Sequence, residues 1–187
     1  MSRPSKSGPK LPKSELNKSE ITEPALLPRR RVGLGLGANL GDPAANLRRA
    51  VALLREAGLE IEAVSSLYRT KPWGVTDQPD FVNACALARS ALEPLALLDL
   101  VQATERAMGR RPTRRWGPRP IDIDLLFIED MRWRDSRLTL PHEGLMQRAF
   151  VLLPLAEIAP DLILGGVRLA DAALDVDRSG VVRIGAF

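Results

Sequence analysis

Two carboxylates, Asp122 and Asp124, lie two positions apart in an apolar stretch of the sequence. Their alternation with Ile121, Ile123 and Leu125 predicts a β-strand, in which residues two apart project from one face, roughly 6–7 Å from each other. Neither carboxylate has a cationic partner within the strand, which argues against an ion-pair design. Such a pair suits hard divalent cations, and Mg²⁺ is commonly held by one or two carboxylates plus substrate phosphates. The alternative is a polar strand face open to water.

The segment just before these carboxylates is rich in arginine. Residues 106–119 contain no acidic residue and six arginines: Arg106, Arg110, Arg111, Arg114, Arg115 and Arg119. Guanidinium groups bind phosphate oxygens through paired hydrogen bonds, which an ammonium group cannot do. An arginine loop that leads into Asp-x-Asp therefore indicates a polyphosphate held between mobile cations and metal ions, as in phosphoryl transfer. Trp116 in this loop is placed to stack on a planar ligand. The alternative for the arginines is solvated positive charge.

His142 and Cys85 are each the only residue of their type. A single histidine excludes a His-rich metal site, and His142 is suited either to a hydrogen bond with a phosphate or to a structural one. A single cysteine forms no internal disulfide, so nothing indicates an oxidising compartment. Cys85 lies in an apolar predicted strand, where we expect it to be an inert core residue.

The glycines near the start of the chain need a separate interpretation. Gly33, Gly35 and Ala38 match the G-x-G-x-x-A pattern of dinucleotide-binding proteins. However, the helix start signal lies at Asp42-Pro43, so the glycines do not lead directly into a helix. Asp42 would also place a negative charge where the pyrophosphate must bind. We therefore interpret Gly33 and Gly35 as sites of close packing between strands. No P-loop motif occurs in the sequence.

Periodicity and turn signals predict the elements that position these residues. In chain order they are a strand at 32–37, a helix from Asp42-Pro43 to Gly58, a strand from Leu59 toward Tyr68, a strand at 81–88, a helix from Pro94 to Gly109, a strand at 121–128, a helix at 147–158 with a break at Pro154, and a short hairpin in the last 25 residues. The β-α-β-β-α-β order predicts an α+β, ferredoxin-like fold with a mainly antiparallel sheet and helices on one face. A doubly wound sheet would need strict alternation of strands and helices.

Composition sets the domain count and limits the partners. The chain has 187 residues, of which 45% are apolar, so we expect one folded domain at 31–187. Residues 1–30, rich in Ser, Pro and Lys, predict a disordered basic leader. Residues 1–32 contain eight of the 27 basic residues and only three of the 23 acidic ones, so the rest of the chain is close to neutral. Bulk charge therefore gives little support to nucleic-acid binding, and no apolar run is long enough for a membrane span. We expect a cytoplasmic monomer.

Four stretches together resemble the 6-hydroxymethyl-7,8-dihydropterin pyrophosphokinases of folate biosynthesis. They are GLGANLGDPAANL at 35–47, VSSLYRTKPWGVTDQPDFVNACAL at 64–87, RRWGPRPIDIDLL at 114–126 and LTLPHEGLMQRAFVLLPLAEIAP at 138–160. The resemblance implies transfer of the diphosphate group of ATP to the hydroxymethyl oxygen of the pterin, with release of AMP.

The resemblance also implies site residues. Asp122 and Asp124 would bind two Mg²⁺ ions, and Arg111 and Arg115 would be mobile-loop cations that act in catalysis. The implied ATP-binding residues are Gln102, Glu105, Arg110, Arg111, Arg115, Trp116, Arg119, Leu125, Arg137, Thr139, His142 and Arg148. The implied pterin-binding residues are Thr70, Pro72, Trp73, Phe81, Asn83, Trp116, Asp122 and Phe150.

Departures from the family pattern leave some assignments open. The arginine loop is one residue shorter than the family form, so the matching of Arg110 and Arg111 is uncertain by one place. Glu143 stands where an aromatic residue can follow the histidine. Two other functions compete: another ATP-dependent transferase on the same scaffold, and a non-catalytic nucleic-acid binder. Aromatic residues make up only 4% of the chain, which disfavours the binder. Phe81, Asn83 and Phe150 have no role unless a flat heterocycle binds.

Overall fold

The structure is a computed structural model that describes residues 28–72, 74–111 and 116–187. Most of the predicted leader, residues 1–27, lies outside the described residues. Arg30, predicted as its last residue, begins the first strand. The elements in chain order are β1 (Arg30–Ala38), α1 (Pro43–Glu56), β2 (Glu60–Val64), β3 (Leu67–Thr70), β4 (Phe81–Ser90), α2 (Pro94–Ala107), β5 (Asp122–Ile128), β6 (Trp133–Arg134), β7 (Thr139–Leu140), α3 (Ala149–Ile158), β8 (Ile163–Leu164), β9 (Val167–Arg168), α4 (Leu169–Asp175) and β10 (Val181–Gly185).

The main sheet has the order β10-β3-β4-β1-β5, with β2 also paired to β4, and every pairing is antiparallel. This arrangement confirms the predicted α+β, ferredoxin-like core. The predicted strand from Leu59 to Tyr68 is divided in two at Ser65 and Ser66. The Ser65 backbone N–H donates to the Cys85 carbonyl at 2.9 Å, and the Cys85 N–H donates to Ser65 Oγ at 2.9 Å. These bonds keep the two parts attached to β4 across the interruption.

Helices α1 and α2 pack on one face of the sheet, and α1 begins as its sequence predicts. Asp42 Oδ1 accepts a hydrogen bond from the Ala45 N–H at 3.0 Å, and Pro43 occupies the first turn, where no N–H is needed. Leu47, Val51 and Leu54 are buried against the strands, as the helical spacing predicts. After α1, Gly58 has φ +95°, a conformation that favours glycine.

Helices α3 and α4 pack on the opposite face, so the prediction of helices on one face is wrong. Cys85, Leu87 and Phe127 from the sheet form a second buried cluster with α3 and α4. The reason is visible in β4, where residues 83–88 are all buried instead of alternating. Strands covered on both faces lose the two-residue alternation of a half-exposed strand.

The end of the chain departs from the prediction in two further ways. Helix α3 begins at Ala149 and runs through Pro154 to Ile158 without the predicted break. Proline removes one helical hydrogen bond, but the buried, apolar helix is held by its packing against the sheet. The predicted hairpin is present as β8 and β9, whereas β10, which pairs with β3, was not predicted. None of the helices in the described part of the chain is long and apolar enough to cross a membrane.

Candidate active site

Strand β5 places Asp122 and Asp124 on the face opposite α1 and α2. Ile123 and Leu125 point the other way and are buried in the core, as the alternation predicts. Opposite the two carboxylates, Gly37 pairs with Asp122 and Gly35 pairs with Asp124. The carboxylates therefore face a strip of sheet that carries no side chains.

The glycines of β1 make this open strip. A Cβ atom on Gly37 would lie 3.1 Å from Asn83 Oδ1 and 3.9 Å from the Asp122 Cβ. A Cβ atom on Gly33 would lie 2.1 Å from Phe127, which confirms close packing there. At Gly35 the nearest contact would be an ordinary 3.4 Å, so close packing does not require glycine at that position. Sequence reasoning missed Gly35 and Gly37 as part of a cavity floor, although their alternation on one strand face was a usable signal.

A cavity with aromatic walls opens over this floor. Asn83 is 6% exposed, and its Nδ2 donates to Thr70 Oγ1 at 2.9 Å. This bond leaves the amide oxygen and one N–H of Asn83 for a ligand. The predicted residues that line the cavity are Thr70, Phe81, Asn83, Trp116, Arg119, Asp122, Asp124, Arg148 and Phe150.

A second cavity, with more polar walls, adjoins the first. The predicted residues that line it are Gln102, Glu105, Arg110, Asp122, Asp124, Leu125, Arg137, Thr139, His142 and Arg148. Among the residues that the structure describes, three line both cavities: Asp122, Asp124 and Arg148. The two cavities therefore meet at two carboxylates and one guanidinium.

Not every predicted site residue lies in a cavity wall. Pro72 and Arg111 are described but line neither cavity. Arg119, predicted to bind ATP, lies in the aromatic cavity, where its Cζ is 5.1 Å from the centre of the Phe81 ring. Trp73 and Arg115 lie outside the described residues.

Of the three residues at the junction, Asp122 is already paired with two arginines. Arg110 Nη1 lies 2.5 Å from Asp122 Oδ1, and Arg119 Nη2 lies 2.6 Å from Asp122 Oδ2. Arg110 also pairs with Glu105, which accepts a hydrogen bond from the Ile123 N–H at 2.7 Å. The expectation that Asp122 takes no part in an ion pair is therefore wrong. Arg110 is twelve positions away in the chain, and only the packing of α2 against β5 brings it to Asp122.

Asp124 is in a different electrostatic position from Asp122. Burial raises the pKa of Asp124 above its usual range, and the negative charge of Asp122 raises it further. The guanidinium groups of Arg148 and Arg119 act in the opposite direction. Within the described residues, no group of three or more His, Cys, Asp or Glu side chains is arranged to hold a metal ion. A Mg²⁺ ion held by one or two carboxylates takes its remaining oxygen ligands from water or from substrate phosphates.

A hydrogen-bond network centred on the buried Asn39 joins Gln78 to Trp116 and Arg119, which lie on two separate loops. Asn39 is 2% exposed, and its Oδ1 accepts from the Arg119 N–H at 2.8 Å. Its Nδ2 donates to Gln78 Oε1 at 2.9 Å, and Gln78 Nε2 donates to the Trp116 carbonyl at 2.9 Å. Sequence reasoning missed Asn39 and Gln78, because an amide in a loop has no periodic signal.

Comparison with known proteins identifies the family. The family model for 7,8-dihydro-6-hydroxymethylpterin-pyrophosphokinase matches residues 33–160, which include most of β1, the elements from α1 to α3 and every residue named above for the two cavities. The chain belongs to this pyrophosphokinase family. A pyrophosphokinase of this name from Methylorubrum extorquens is 49% identical over 155 residues, which cover 82% of this chain and 98% of the relative. The one from Haemophilus influenzae is 42% identical over 132 residues, covering 70% of this chain and 82% of the relative.

Larger relatives contain the same domain. The mitochondrial folate synthesis bifunctional protein of Arabidopsis thaliana is 42% identical over 127 residues, which cover 68% of this chain and 23% of that protein. The solved structure of Plasmodium falciparum HPPK-DHPS with pteroate superimposes with a TM-score of 0.61 at 16% identity. That match covers 78% of this chain but only 43% of the solved chain, so this chain spans less than half of its length. At this identity the superposition supports the pyrophosphokinase fold alone.

Proposed function

We propose that this protein transfers the diphosphate group of ATP to the hydroxymethyl oxygen of 6-hydroxymethyl-7,8-dihydropterin and releases AMP, as a step of folate biosynthesis. Membership of the pyrophosphokinase family supports this reaction. The structural observation that carries it is the meeting of an aromatic and a polar cavity at Asp122, Asp124 and Arg148. A transferase with two substrates needs such a junction, because the nucleophile and the transferred group must come together there.

The aromatic cavity suits the pterin. A pterin is flat and carries hydrogen-bonding groups at its edge, so it needs aromatic faces and a few fixed polar groups. Phe81 and Phe150 would lie against the ring faces, and Asn83 would bind the edge with one donor and one acceptor. The hydrogen bond from Asn83 to Thr70 holds the amide in one orientation, so the site is prepared before the ligand arrives.

The polar cavity suits ATP. Arg110, Arg148 and His142 would bind phosphate oxygens, and Gln102 and Thr139 would bind the nucleoside part of the ligand. Arg110 already pairs with two carboxylates. Arg110 would bind a phosphate group only when a cation replaces it beside these carboxylates.

The donor set at the junction suits Mg²⁺, which prefers oxygen ligands and shares its coordination with substrate phosphates. We propose that Asp122 and Asp124 hold two Mg²⁺ ions together with ATP. Bound there, Mg²⁺ would neutralise phosphate charge and increase the acidity of the attacking hydroxyl. A cation at Asp122 would displace Arg110 and Arg119 from its oxygens, which would release both guanidinium groups toward the phosphates.

The chain's own residues then have distinct tasks in the reaction. The hydroxymethyl oxygen forms a bond to the β-phosphorus of ATP, the bond from that phosphorus to the α,β-bridging oxygen breaks, and AMP leaves with that oxygen. Asp122 or Asp124 would accept the hydroxyl proton as the new bond forms. Asn39 and Gln78 would hold Trp116 beside the aromatic cavity, where it would help to exclude water.

A product analysis tests the proposed function. The protein is mixed with ATP, Mg²⁺ and the pterin, and the nucleotides are separated by chromatography after quenching. We expect AMP only when the pterin is present, and no product when EDTA removes the metal. Formation of ADP instead would identify a different kinase, and formation of AMP without the pterin would identify an ATP diphosphohydrolase.

A further inference from the structure

Arg148 occupies an unusual position among the cations of the site. It lines both cavities, whereas Arg110 and Arg137 line only the polar one and Arg119 lines only the aromatic one. Arg110, Arg119 and Arg137 are each paired with a carboxylate. In the part of the chain that the structure describes, the Arg148 guanidinium has no hydrogen bond or ion pair with another residue. It is therefore the cation at the junction that is ready to bind an anionic ligand.

The position of this guanidinium depends on a glycine four residues earlier. A Cβ atom on Gly144 would lie 2.5 Å from Arg148 Nε, 2.8 Å from Cζ and 3.0 Å from Cδ. The Arg148 side chain thus passes through the space that any other residue at position 144 would fill. Gly144 does not have a positive φ, so its backbone conformation does not itself require glycine.

The same turn also orients the neighbouring histidine. The Gly144 N–H donates to His142 Nδ1 at 3.1 Å, so the proton of the neutral His142 ring is on Nε2. Alanine at position 144 would keep this N–H. A substitution there therefore separates the two roles of the turn: it leaves the His142 bond in place and removes the space for Arg148.

We infer that Gly144 is a positioning residue for the transfer reaction, because its missing side chain lets the Arg148 guanidinium lie across the junction of the two cavities. This inference rests on the proposed function, in which Arg148 binds the phosphates of ATP. A methyl group at position 144 displaces the guanidinium. The displaced atoms belong to a flexible side chain, so the displacement costs little stability. The substitution is therefore expected to lower activity by moving the Arg148 guanidinium and to leave the stability of the fold almost unchanged.

A double-mutant cycle tests the inference. The variants are Gly144→Ala, Arg148→Ala and the double substitution, with Gln147→Ala as the matched control on the exposed surface of the same turn. For each variant, kcat/KM for AMP formation and the Kd of a non-hydrolysable methylene analogue of ATP with Mg²⁺ are measured. Thermal unfolding of each variant shows whether the fold is kept.

We expect Gly144→Ala to lower kcat/KM by about tenfold to a hundredfold, since a displacement of about 1 Å at a reacting site has effects of this size. The analogue should bind more weakly, and the unfolding temperature should stay near that of the wild type. In the Arg148→Ala background, Gly144→Ala should have no further effect, because the group it displaces is absent. Gln147→Ala should behave as the wild type.

Two outcomes would overturn the inference. One is a Gly144→Ala enzyme with wild-type kcat/KM and analogue affinity. The other is an equal loss from Gly144→Ala with and without Arg148, which would mean that the glycine acts through another group. A wild-type protein that forms no AMP would instead overturn the proposed function, so the two failures are distinguishable.

Discussion

The two cavities of this site differ in whether their polar groups are free to bind a ligand. The aromatic cavity takes Phe81 and Asn83 from the sheet, and the bond from Asn83 to Thr70 fixes the amide without any ligand. In the polar cavity, Arg110 is paired with Asp122, and Arg137 is paired with Asp99, which lies outside the cavity wall. A pterin would therefore bind to an amide that is already oriented. The phosphates of ATP would bind Arg110 only after its ion pair with Asp122 is broken. Loss of a pterin contact should affect one substrate, and loss of a charge at the junction should affect the reaction itself.

The largest effect is expected at the junction. Asp124→Ala should lower the rate of AMP formation by about 10³-fold, because it removes a group that stabilises the transition state electrostatically. The fold should be kept, since burial already disfavours the charged form of this carboxyl. Quenched-flow assays and thermal unfolding measure the two effects. A variant with a near-normal rate would contradict the assignment of Asp124 to the metal site.

Asn83→Ala tests the role of the oriented amide in the aromatic cavity. It removes the amide and leaves the buried Thr70 hydroxyl without its partner, so the KM for the pterin should rise by about a hundredfold. The Kd of the ATP analogue should not change. Thr70→Val, which keeps the amide but frees its orientation, should raise the same KM by less. An equal loss of affinity for both substrates in Asn83→Ala would contradict the separation of the two cavities.

Arg110→Gln tests the exchange of partners in the polar cavity. The substitution removes the cation that pairs with Asp122 and Glu105, and we expect kcat/KM for ATP to fall by about tenfold while the KM for the pterin is unchanged. Arg106→Gln is the control, because Arg106 is exposed in the same segment and lines neither cavity. If Arg110→Gln bound ATP more tightly, the ion pairs would be inhibitory and Arg110 would have no role in phosphate binding.

Gln78→Ala tests the link between the loops. It removes the bonds to Asn39 and to the Trp116 carbonyl, each of which contributes about 1 kcal/mol in a typical case. We expect a several-fold rise in the KM for the pterin, and faster amide hydrogen exchange at residues 116–119. Unchanged exchange there would mean that the loops move independently.

The smallest effect is expected at the far end of α3, the helix that carries Phe150. Burial alone would raise the pKa of Glu157, but hydrogen bonds from Ser66 and Tyr68 and the charge of Arg183 outweigh it and hold the pKa below its usual range. This stabilisation is present above the pKa of the unfolded state and is lost as the pH falls through the lower pKa of the folded state. Glu157→Gln should therefore unfold more easily than the wild type at neutral pH, with a difference that shrinks in acid. The chemistry at the junction should be unaffected. A difference that grew in acid would contradict this sign.

Local signals in the sequence predicted the parts of the fold that depend on neighbouring residues. The Asp42 cap, the helical spacing of Leu47 and Val51, and the common face of Asp122 and Asp124 are all properties of short segments. The same is true of the β-α-β-β-α-β order. The motif resemblance predicted the family, which the comparisons confirm.

The features that the sequence did not predict depend on distant contacts. Arg110 meets Asp122 only because α2 packs beside β5. The second layer of helices follows from the burial of both faces of β4, and β10 finds its partner β3 more than a hundred residues earlier in the chain. Gly144 has no motif of its own, and its role emerges only from the path of the Arg148 side chain.

The most direct test of the central claim follows the oxygen between the α- and β-phosphorus atoms of ATP. ATP labelled with ¹⁸O at this bridging position is incubated with the protein, Mg²⁺ and the pterin, and the products are examined by ³¹P NMR. Attack of the hydroxymethyl oxygen on the β-phosphorus predicts that the label remains entirely on AMP and that the pterin carries an unlabelled diphosphate. Label in free pyrophosphate, together with an adenylylated pterin, would show attack on the α-phosphorus and would contradict the account.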